Sequence, residues 1–262
     1  MKKNIALVTG GYSGESVISY KSAETIRQHI DPEKWNAFLI DINPAGWHFE
    51  NENGEKTSVD KNDFSIIYKG QKILFDAVLI GLHGTPGEDG KLQGYFDCLH
   101  IPYTSCDAAT SALTFNKRYT VAVAAFAGIP VAKSIHLFKQ NAVPSAEILD
   151  QLALPVFVKP NNGGSSLGMS KVKDAANLDA ALIKAFKEDD QVLVEECIVG
   201  REFTIGVFKS KGNIITLPIT EIISKNEFFD FEAKYEGASE EVTPAKVDEV
   251  IADKVIDDAK KA

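Results

Sequence analysis

Residues 156–169 combine residue types that could bind an anion. They read VFVKPNNGGSSLGM, an apolar run that ends in Lys159 and continues into a glycine- and serine-rich stretch. Glycines allow backbone N–H groups to converge on an anion, serine hydroxyls add donors, and the lysine supplies a positive charge. Asparagine and glycine also dominate hairpin turns, so an ordinary turn is the alternative. A lysine that ends an apolar strand needs a charged partner, and this favours an anion-binding loop.

Acidic residues follow a second apolar run, QVLVEE. Glu195 and Glu196 end this predicted strand, and Glu202 follows after a short connection. Ionised carboxylates only accept hydrogen bonds, so these acids could bind the amino group of an adenine and the hydroxyls of a ribose. A solvated sheet edge is the alternative. Further on, FFDFEAKYEGASEE could form a lid that uses Lys234 and Tyr235, or an acidic loop without such a role.

Two loops near the N-terminus follow predicted strands. The first, GGYSGE, fits the dinucleotide pattern G-x-G-x-x-G poorly, although Asp41 follows the second strand as a ribose-binding acid would. Glu15 could instead face the ammonium group of a ligand, or Ser13 or Glu15 could only cap the next helix. The second loop, HGTPGEDG, begins with His83 at the carboxyl end of a strand, where open α/β sheets bind ligands. A single histidine is more often structural.

The elements that must position these residues alternate between strand and helix in the N-terminal half. This alternation indicates an open parallel sheet. The predicted strands are 5–9, 38–40 and 75–82, with short β candidates at 47–49 and 65–68, and the predicted helices begin at Ser16 and span 91–99.

The C-terminal half reads as a second set of elements after a break around residues 105–114. The predicted helices are 117–126 and 174–186, and the predicted strands are 131–138, 155–159 and 191–195. Residues 202–209 and 213–219 are predicted to form a hairpin, and a last helix is predicted to begin at Thr243, with Pro244 in its first turn.

Composition excludes several classes of partner. The chain has 262 residues, 44% of them hydrophobic, and a net charge of -9 with a pI near 5.1. Nucleic acids and anionic membranes bind basic surfaces, so neither is an expected partner. The three cysteines form no C-x-x-C pair, which argues against a disulfide framework or a zinc site and predicts reduced cytoplasmic thiols. No run is long enough to span a membrane.

Six motifs occur in the order in which they occur in D-alanine–D-alanine ligases, and the chain resembles that family over its whole length. The resemblance implies a Rossmann-like N-terminal domain followed by an ATP-grasp fold, thus α/β and α+β, with domains at 1–105, 106–194 and 195–262 and an incomplete C-terminal lobe. The motifs are GGYSGE, LHGTPGEDGKLQG, NKRYT, VFVKPNNGGSSLGMSKV, VLVEECIVGREFTIGV and FFDFEAKY.

The resemblance also implies roles for individual residues. Those expected to bind ATP are Lys117, Lys159 and Lys234 at the phosphates, Glu195 with the backbone of Glu196 and Ile198 at the adenine, and Glu202 at the ribose. Those expected to bind or act on the amino acids are Glu15, which would hold the ammonium of the first D-alanine, together with His83, Ser165 and Tyr235.

The implied reaction joins two D-alanines through an acyl phosphate, for the synthesis of peptidoglycan precursors, in a cytoplasmic enzyme that is a homodimer at full length. Tyr235 is expected to link Glu15 and Ser165 and to go with a peptide product rather than an ester. None of these candidate site residues is expected to bind a metal, and the magnesium ligands of the family are expected beyond residue 262. We therefore expect residues 1–262 alone to bind ATP weakly or not at all and to be inactive. Two alternatives stay open: a catalytically silent nucleotide-binding protein and an NAD(P)-binding oxidoreductase.

Overall fold

The computed structural model describes residues 2–141, 143–225 and 239–261. These residues form two compact units, Met1–Asn116 and Lys117–Ala262, here called unit 1 and unit 2. The finer division at residues 105/106 and 194/195 stays a prediction. No helix in the described ranges is long and apolar enough to cross a membrane.

Unit 1 is built around a mixed five-stranded sheet. Its central strands run parallel, as the alternation of strand and helix predicts, and the short β candidate at 47–49 is confirmed as part of an antiparallel extension at its edge. The order is β4-β3-β2-β1-β7. The strands are β1 Lys3–Gly10, β2 Trp35–Asn43, β3 Gly46–Glu50, β4 Lys56–Ser58 and β7 Ala77–Ile80, with a separate pair formed by β5 Ile66–Tyr68 and β6 Gln71–Ile73.

Three helices accompany this sheet, and one of them lies where the sequence suggested a break. They are α1 Ser16–His29, α2 Lys91–Leu99 and α3 Ala108–Phe115. The segment SCDAATSALT has no strong apolar period, but Asp107 caps it: its side chain accepts a hydrogen bond from the Thr110 N–H at 2.8 Å. A capped first turn satisfies a donor that would otherwise have no partner, so a short helix forms.

The parallel pairing of β1 with β7 places two loops at one edge of the sheet. Ile5 lies opposite Ala77 and Val8 lies opposite Ile80, so the loops that follow both strands begin side by side. The Tyr12 N–H donates to the Thr85 carbonyl at 2.8 Å, which ties GGYSGE to HGTPGEDG. This edge is where open parallel sheets bind ligands.

Unit 2 contains a four-stranded antiparallel sheet in the order β10-β9-β11-β8. Leu178, Ala181 and Ala185, on one face of a helix, pack against its apolar side chains. The strands are β8 Ser134–Phe138, β9 Val156–Pro160, β10 Ser170–Val172 and β11 Gln191–Glu196. The helices are α4 Lys117–Phe126, α5 Ser145–Leu149 and α6 Leu178–Ala185, preceded by a 3-10 turn at Ala175–Asn177.

The predicted hairpin after residue 202 is partly wrong. Its first strand is broken near Gly206, where an added Cβ would lie 2.8 Å from Leu217 Cδ1 and where the carbonyl accepts the Leu217 N–H at 2.8 Å. Only the second piece forms the hairpin; the first joins another sheet, in the order β12-β15-β16. The strands are β12 Glu202–Thr204, β13 Val207–Ser210, β14 Asn213–Thr216, β15 Thr220–Ser224 and β16 Ser239–Val242.

The last helix begins later than predicted. Helix α7 spans Glu249–Lys261 rather than starting at Thr243. The Ala245 N–H donates to the Ile219 carbonyl at 2.8 Å, so the segment after Thr243 first runs alongside another part of the chain. The Asp248 carbonyl accepts the first helical hydrogen bonds. A tertiary contact therefore overrides the local capping signal.

Candidate functional site

The glycine-rich stretch connects two strands of unit 2. β9 and β10 pair antiparallel, with Val158 opposite Ser170 and Val156 opposite Val172. Residues 161–169, here called the glycine loop, therefore do close a hairpin. The loop is longer than the roughly 2–5 residues of an ordinary hairpin connection, so a simple turn does not account for it.

The backbone at the tip of the glycine loop is strained. Ser165 and Ser166 have φ values of 51° and 58°, and the Leu167 N–H donates to the Gly164 carbonyl across them at 3.1 Å. Positive φ at both central residues is the pattern of a type I′ turn, which favours Gly, Asn or Asp, and it costs an ordinary residue roughly 1–2 kcal/mol. Such strain concentrates at ligand-binding and switch segments, which favours a binding role for this loop.

Lys159 and Glu195 form an ion pair at the end of the sheet. Lys159 lies opposite Leu193, and Glu195 lies opposite Phe157, so both charged side chains point to the same face. Their side chains are only 19% and 17% exposed. Glu195 is thus the charged partner that a lysine in this position requires. A bound anion would either contact Lys159 together with Glu195 or replace Glu195 as its partner.

Two cavities meet at Lys159. The strand-end cavity, about 480 Å³, is lined by Ala132, Phe157, Lys159, Met169, Glu195, Glu196, Ile198, Gly200, Arg201, Glu202 and Phe203. The loop cavity, about 260 Å³, is lined by Lys117, Lys159, Pro160, Gly163, Gly164, Ser165, Ser166, Leu167, Met169 and Glu202. They share Lys159, Met169 and Glu202.

The two linings differ in chemistry. The strand-end cavity has apolar walls, among them Phe157 and Met169, and acidic side chains at its rim. A flat base with polar edges matches such a lining. The loop cavity combines two lysines with serine hydroxyls and glycine backbone, which suits phosphates. Together they have the chemistry of a nucleotide site.

Lys117 begins α4, and its side chain reaches the glycine loop. Its Nζ donates to the Gly163 carbonyl at 2.7 Å. Lys117 and Lys159 therefore both line the loop cavity, although they are far apart in sequence. Ser165, only 7% exposed, lies in the same lining.

The side chain of Glu196 is hydrogen-bonded within the protein. Its Oε1 accepts the Lys133 N–H at 2.8 Å, and its own N–H donates to the Lys133 carbonyl at 2.9 Å. Ile198 is 69% exposed and lines the strand-end cavity two residues later. These contacts fix the connection after β11 and favour backbone groups, rather than the Glu196 carboxylate, as the ones that face a ligand.

Arg201 holds the start of β12 in place. Its guanidinium donates two hydrogen bonds to the Glu221 carboxylate and one to the Lys246 carbonyl, each of 2.7 Å. The Arg201 side chain also stacks over the Phe203 ring, 4.9 Å from its centroid. Glu202, the residue between them, lines both cavities, so this contact also orients a candidate ligand-binding acid.

The Arg201–Glu221 pair predicts a pH-dependent contribution to stability. The hydrogen bonds from Arg201 lower the pKa of Glu221 below its usual 4.5. A lowered folded-state pKa stabilises the fold above the unfolded-state pKa, and this stabilisation is lost as the pH falls through the folded-state pKa. We expect Glu221→Gln to unfold at a lower temperature than the wild type at pH 7, with the difference vanishing in acid. A difference in unfolding temperature that does not change with pH would contradict this.

Unit 1 has its own polar cluster, around Gly84. Glu15, at the start of α1, is only 3% exposed, and an added Cβ on Gly84 would lie 2.7 Å from its Oε2 and 2.5 Å from Ser13 Oγ. The Gly84 N–H donates to Glu88 Oε2 at 2.8 Å. His83 joins through its N–H, which donates to Ser19 Oγ at 2.8 Å. We call Ser13, Glu15, His83, Gly84 and Glu88 the Gly84 cluster.

The electrostatics of the Gly84 cluster favour a cation. Burial raises the pKa of Glu88, and the nearby carboxylate of Glu15 raises it further. His83 lies 3.8 Å from the Glu88 carboxylate through Nδ1 and contacts Ser22 Oγ at 3.0 Å through Nε2. Two acids beside one glycine repel each other, and an ammonium group between them would relieve that repulsion.

The carboxylate of Asp41 is already hydrogen-bonded within the protein, which does not favour a role in binding a ribose. Its carboxylate accepts hydrogen bonds from the Tyr20 hydroxyl at 2.9 Å and from Asn43 Nδ2 at 2.7 Å. A side chain at Gly10 would meet Asp41 and the Ile42 carbonyl at 2.5 and 2.4 Å. These contacts give a structural reason for the glycine and the acid that first suggested a dinucleotide site.

The structure brings most of the predicted site residues together within each unit. The strand-end and loop cavities of unit 2 collect Lys117, Lys159, Ser165, Glu195, Glu196, Ile198 and Glu202. Glu15 and His83 meet in unit 1. Lys234 and Tyr235 lie outside the described residues. The sequence interpretation gave no role to Phe157, Met169, Arg201 and Glu88, although each lies within one of the quoted motifs. The clearest positional signal was that of Phe157, two residues before Lys159 on the same strand.

The described residues offer no ligand set for a metal ion. Within these ranges there is no group of three or more His, Cys, Asp or Glu side chains placed to hold one. Magnesium is usually bound through one or two carboxylates, with water and substrate phosphates completing its octahedral oxygen ligands.

Family models match both units. A model described as "D-ala D-ala ligase N-terminus" matches residues 4–106, and one described as "D-ala D-ala ligase C-terminus" matches residues 123–262. Curated relatives named D-alanine--D-alanine ligase include one from Flavobacterium johnsoniae, 47% identical over 260 residues, which are 99% of this chain and 80% of that protein. One from Azobacteroides pseudotrichonymphae is 48% identical over 97% of this chain and 79% of that protein.

Comparison with solved structures gives the same result as the family models and the curated relatives. The VanG D-Ala:D-Ser ligase from Enterococcus faecalis superposes with a TM-score of 0.82 at 30% identity, covering 100% of this chain and 82% of that one. D-alanyl-alanine synthetase A from Vibrio cholerae gives a TM-score of 0.85 at 26% identity, covering 99% and 80%. The fold is therefore the predicted one, a Rossmann-like unit followed by an ATP-grasp unit, and the chain belongs to the D-alanine–D-alanine ligase family.

Proposed function

We propose that the protein joins two D-alanines to D-alanyl-D-alanine at the expense of ATP, for peptidoglycan precursor synthesis. The observation that carries the proposal is the pair of cavities that meet at Lys159, one suited to a base and one to phosphates. Membership of the ligase family names the reaction that such a nucleotide site serves.

ATP is assigned to unit 2. The adenine occupies the strand-end cavity, beside Glu195 and the backbone of Glu196 and Ile198, and the ribose lies at Glu202. The phosphates occupy the loop cavity at Lys117 and Lys159. Charge-assisted hydrogen bonds from two lysines offset the charge of the phosphates in a chain whose net charge is -9. Lys234, outside the described residues, is proposed as a further phosphate contact.

The first D-alanine is assigned to the Gly84 cluster through its ammonium group. Glu15 accepts hydrogen bonds from that group, and His83 lies beside it. The crowded acids of the cluster support this assignment, because they favour a bound cation. Ser165 and Tyr235 are proposed to contact the reacting amino acids, and Tyr235 to favour an amine over a hydroxyl as second substrate.

The reaction needs an activated carboxylate, because oxide is a poor leaving group. Transfer of the γ-phosphoryl group from ATP to the carboxylate of the first D-alanine gives an acyl phosphate and ADP. The amine of the second D-alanine attacks the acyl carbon, the C–O bond to phosphate breaks, and the amine loses a proton. Donors aimed at the phosphates and exclusion of water are the contributions expected of the protein.

The family uses magnesium with ATP, and we propose that its ligands lie beyond residue 262. The described residues contain no group of three or more candidate ligands, and no step above is assigned to the ion. We also propose a cytoplasmic location and a second copy of the protein as its partner, with no nucleic acid or membrane partner, as the acidic composition predicts.

Gly84→Ala tests the Gly84 cluster. The new methyl group would press on Glu15 Oε2 and Ser13 Oγ, so we expect the KM for the first D-alanine to rise by roughly tenfold or more. Gly70→Ala is the matched control: its φ of +74° is close to the +72° of Gly84, but nothing lies within 4 Å of the added Cβ. Both variants should lose similar stability from backbone strain, and only the first should lose affinity for D-alanine. Equal KM values would contradict the assignment.

A binding experiment separates the proposal from the oxidoreductase alternative. Titration calorimetry of the full-length protein with ATP and with NAD should give binding of ATP alone. Binding of NAD but not of ATP would contradict the proposal. A protein that binds ATP but releases no phosphate with D-alanine would be the silent nucleotide-binding protein instead.

A further inference from the structure

Asn161 stands between the two lysines assigned to the phosphates. It is the first residue of the glycine loop, two positions after Lys159, and its side chain is fully buried, with 0% exposure. It does not line either cavity. Any effect of Asn161 on a nucleotide must therefore act through its neighbours.

Asn161 holds the first turn of α4. Its carbonyl accepts the Lys117 N–H at 3.1 Å, and its side-chain Oδ1 accepts the Arg118 N–H at 2.9 Å. The first N–H groups of a helix have no partner within the helix, and a capping side chain usually comes from the residue just before it. Here an acceptor 43 residues away serves this purpose.

The same residue is anchored to the sheet. The Asn161 N–H donates to the Gln191 carbonyl at 2.9 Å, at the start of β11. The next residue, Asn162, donates its N–H and its Nδ2 to Asp189 Oδ2, each at 2.7 Å. The base of the glycine loop is thus fixed to the rigid sheet, and α4 is fixed to that base.

The position of the Lys117 ammonium follows from these contacts. Lys117 Nζ donates to the Gly163 carbonyl at 2.7 Å and approaches the Asn161 carbonyl at 3.5 Å. The backbone of Lys117 and its charged end are therefore both held against the loop that begins with Asn161. A small shift of α4 would move this charge relative to Lys159, and preorganised charge is what binds and activates a phosphoryl group.

We propose that Asn161 is a positioning residue: it fixes the position of the Lys117 ammonium relative to that of Lys159, so that both can bind the nucleotide phosphates. The inference rests on the proposed ATP site. Its chemistry is narrow: only the acceptor Oδ1 is needed, because Nδ2 is buried with no hydrogen-bond partner among the described residues. Asn161→Asp therefore keeps the acceptor; its added charge lies at a helix N-terminus, which favours an anion, but the charge also repels phosphate. Asn161→Leu keeps the branched shape of the side chain, although it is larger, and removes the acceptor.

The test compares ATP with adenosine, which lacks phosphates and needs only the strand-end cavity. Using the full-length protein and calorimetry, we expect Asn161→Leu to weaken ATP binding by about tenfold, the effect of one lost contact, with adenosine affinity unchanged. Asn161→Asp, which keeps the acceptor, should bind ATP more tightly than Asn161→Leu, although its charge keeps the affinity below that of the wild type. If the leucine variant does not fold, Asn161→Ala, which leaves a small cavity instead of an alkyl group, gives the same comparison.

Each outcome of this comparison either supports or overturns the positioning role of Asn161. Selective loss of ATP affinity in the leucine variant, with a smaller loss in the aspartate variant, supports the positioning role. Unchanged ATP affinity in Asn161→Leu, or an equal loss for ATP and adenosine, overturns it and leaves the ATP site itself intact. A wild-type protein that binds neither ligand overturns the proposed ATP site, and the positioning role with it.

Discussion

Replacing Lys159 by alanine is expected to weaken ATP binding by about one to two orders of magnitude. A charge-assisted hydrogen bond in a partly desolvated site contributes about 1.5–3 kcal/mol. Lys159 is the one basic residue that lines both the strand-end and the loop cavity in the described part of the chain. We therefore propose that it touches the nucleotide where base and phosphates meet. Its removal also leaves the carboxylate of Glu195 without its ion-pair partner in the same cavity, and that charge repels phosphate.

Lys171 provides a matched control for this prediction. Its ammonium lies 5.7 Å from the centroid of the Phe157 ring, and that of Lys159 lies 5.9 Å from the same centroid. Lys171, however, lines neither cavity. Calorimetry with ATP and with adenosine should show a large loss for ATP in Lys159→Ala and little change in Lys171→Ala. Equal ATP affinity in the two variants would rule out the phosphate role of Lys159.

Replacing Glu15 by glutamine is expected to raise the KM for the first D-alanine by about one to two orders of magnitude. The change keeps the shape of the side chain and removes its charge, so an ammonium loses a charge-assisted contact of about 1.5–3 kcal/mol. Glu15 is almost completely buried, and water screens the contact little. ATP affinity should stay unchanged, because Glu15 lines neither of the cavities assigned to the nucleotide.

Glu24→Gln is the control for the Glu15 variant. Glu24 lies on the same helix, but it is exposed and forms an ion pair with Arg27 at 3.2 Å. The measurement is phosphate release by the full-length protein as a function of D-alanine concentration. A Glu15→Gln enzyme with the D-alanine dependence of the Glu24→Gln enzyme would show that the ammonium binds elsewhere.

The local chemistry of the nucleotide site could be predicted from the sequence. A lysine that ends an apolar strand requires a partner, and the partner is Glu195, a residue already marked as a candidate ligand. The same reasoning left hairpin and anion-binding loop as alternatives. The structure shows why these two alternatives are hard to separate. The glycine loop does close a hairpin, but the backbone at its tip is more strained than an ordinary hairpin turn requires.

Features that depend on tertiary contacts were not predictable. The cap that Asn161 supplies to α4 comes from a residue distant in the chain, so no local pattern indicates it. The start of the last helix was placed at Thr243 on a good capping signal, but a hydrogen bond from Ala245 to Ile219 delays the helix to Glu249. Helix α3 was missed because one aspartate cap stabilises a segment with little apolar periodicity.

The most direct test of the account is the reaction itself. The full-length protein, given ATP, magnesium and D-alanine, should release phosphate and form D-alanyl-D-alanine in equal amounts, with no phosphate release when D-alanine is replaced by L-alanine. Phosphate release that does not depend on D-alanine, or none at all from a protein that binds ATP, would contradict the proposed ligase activity.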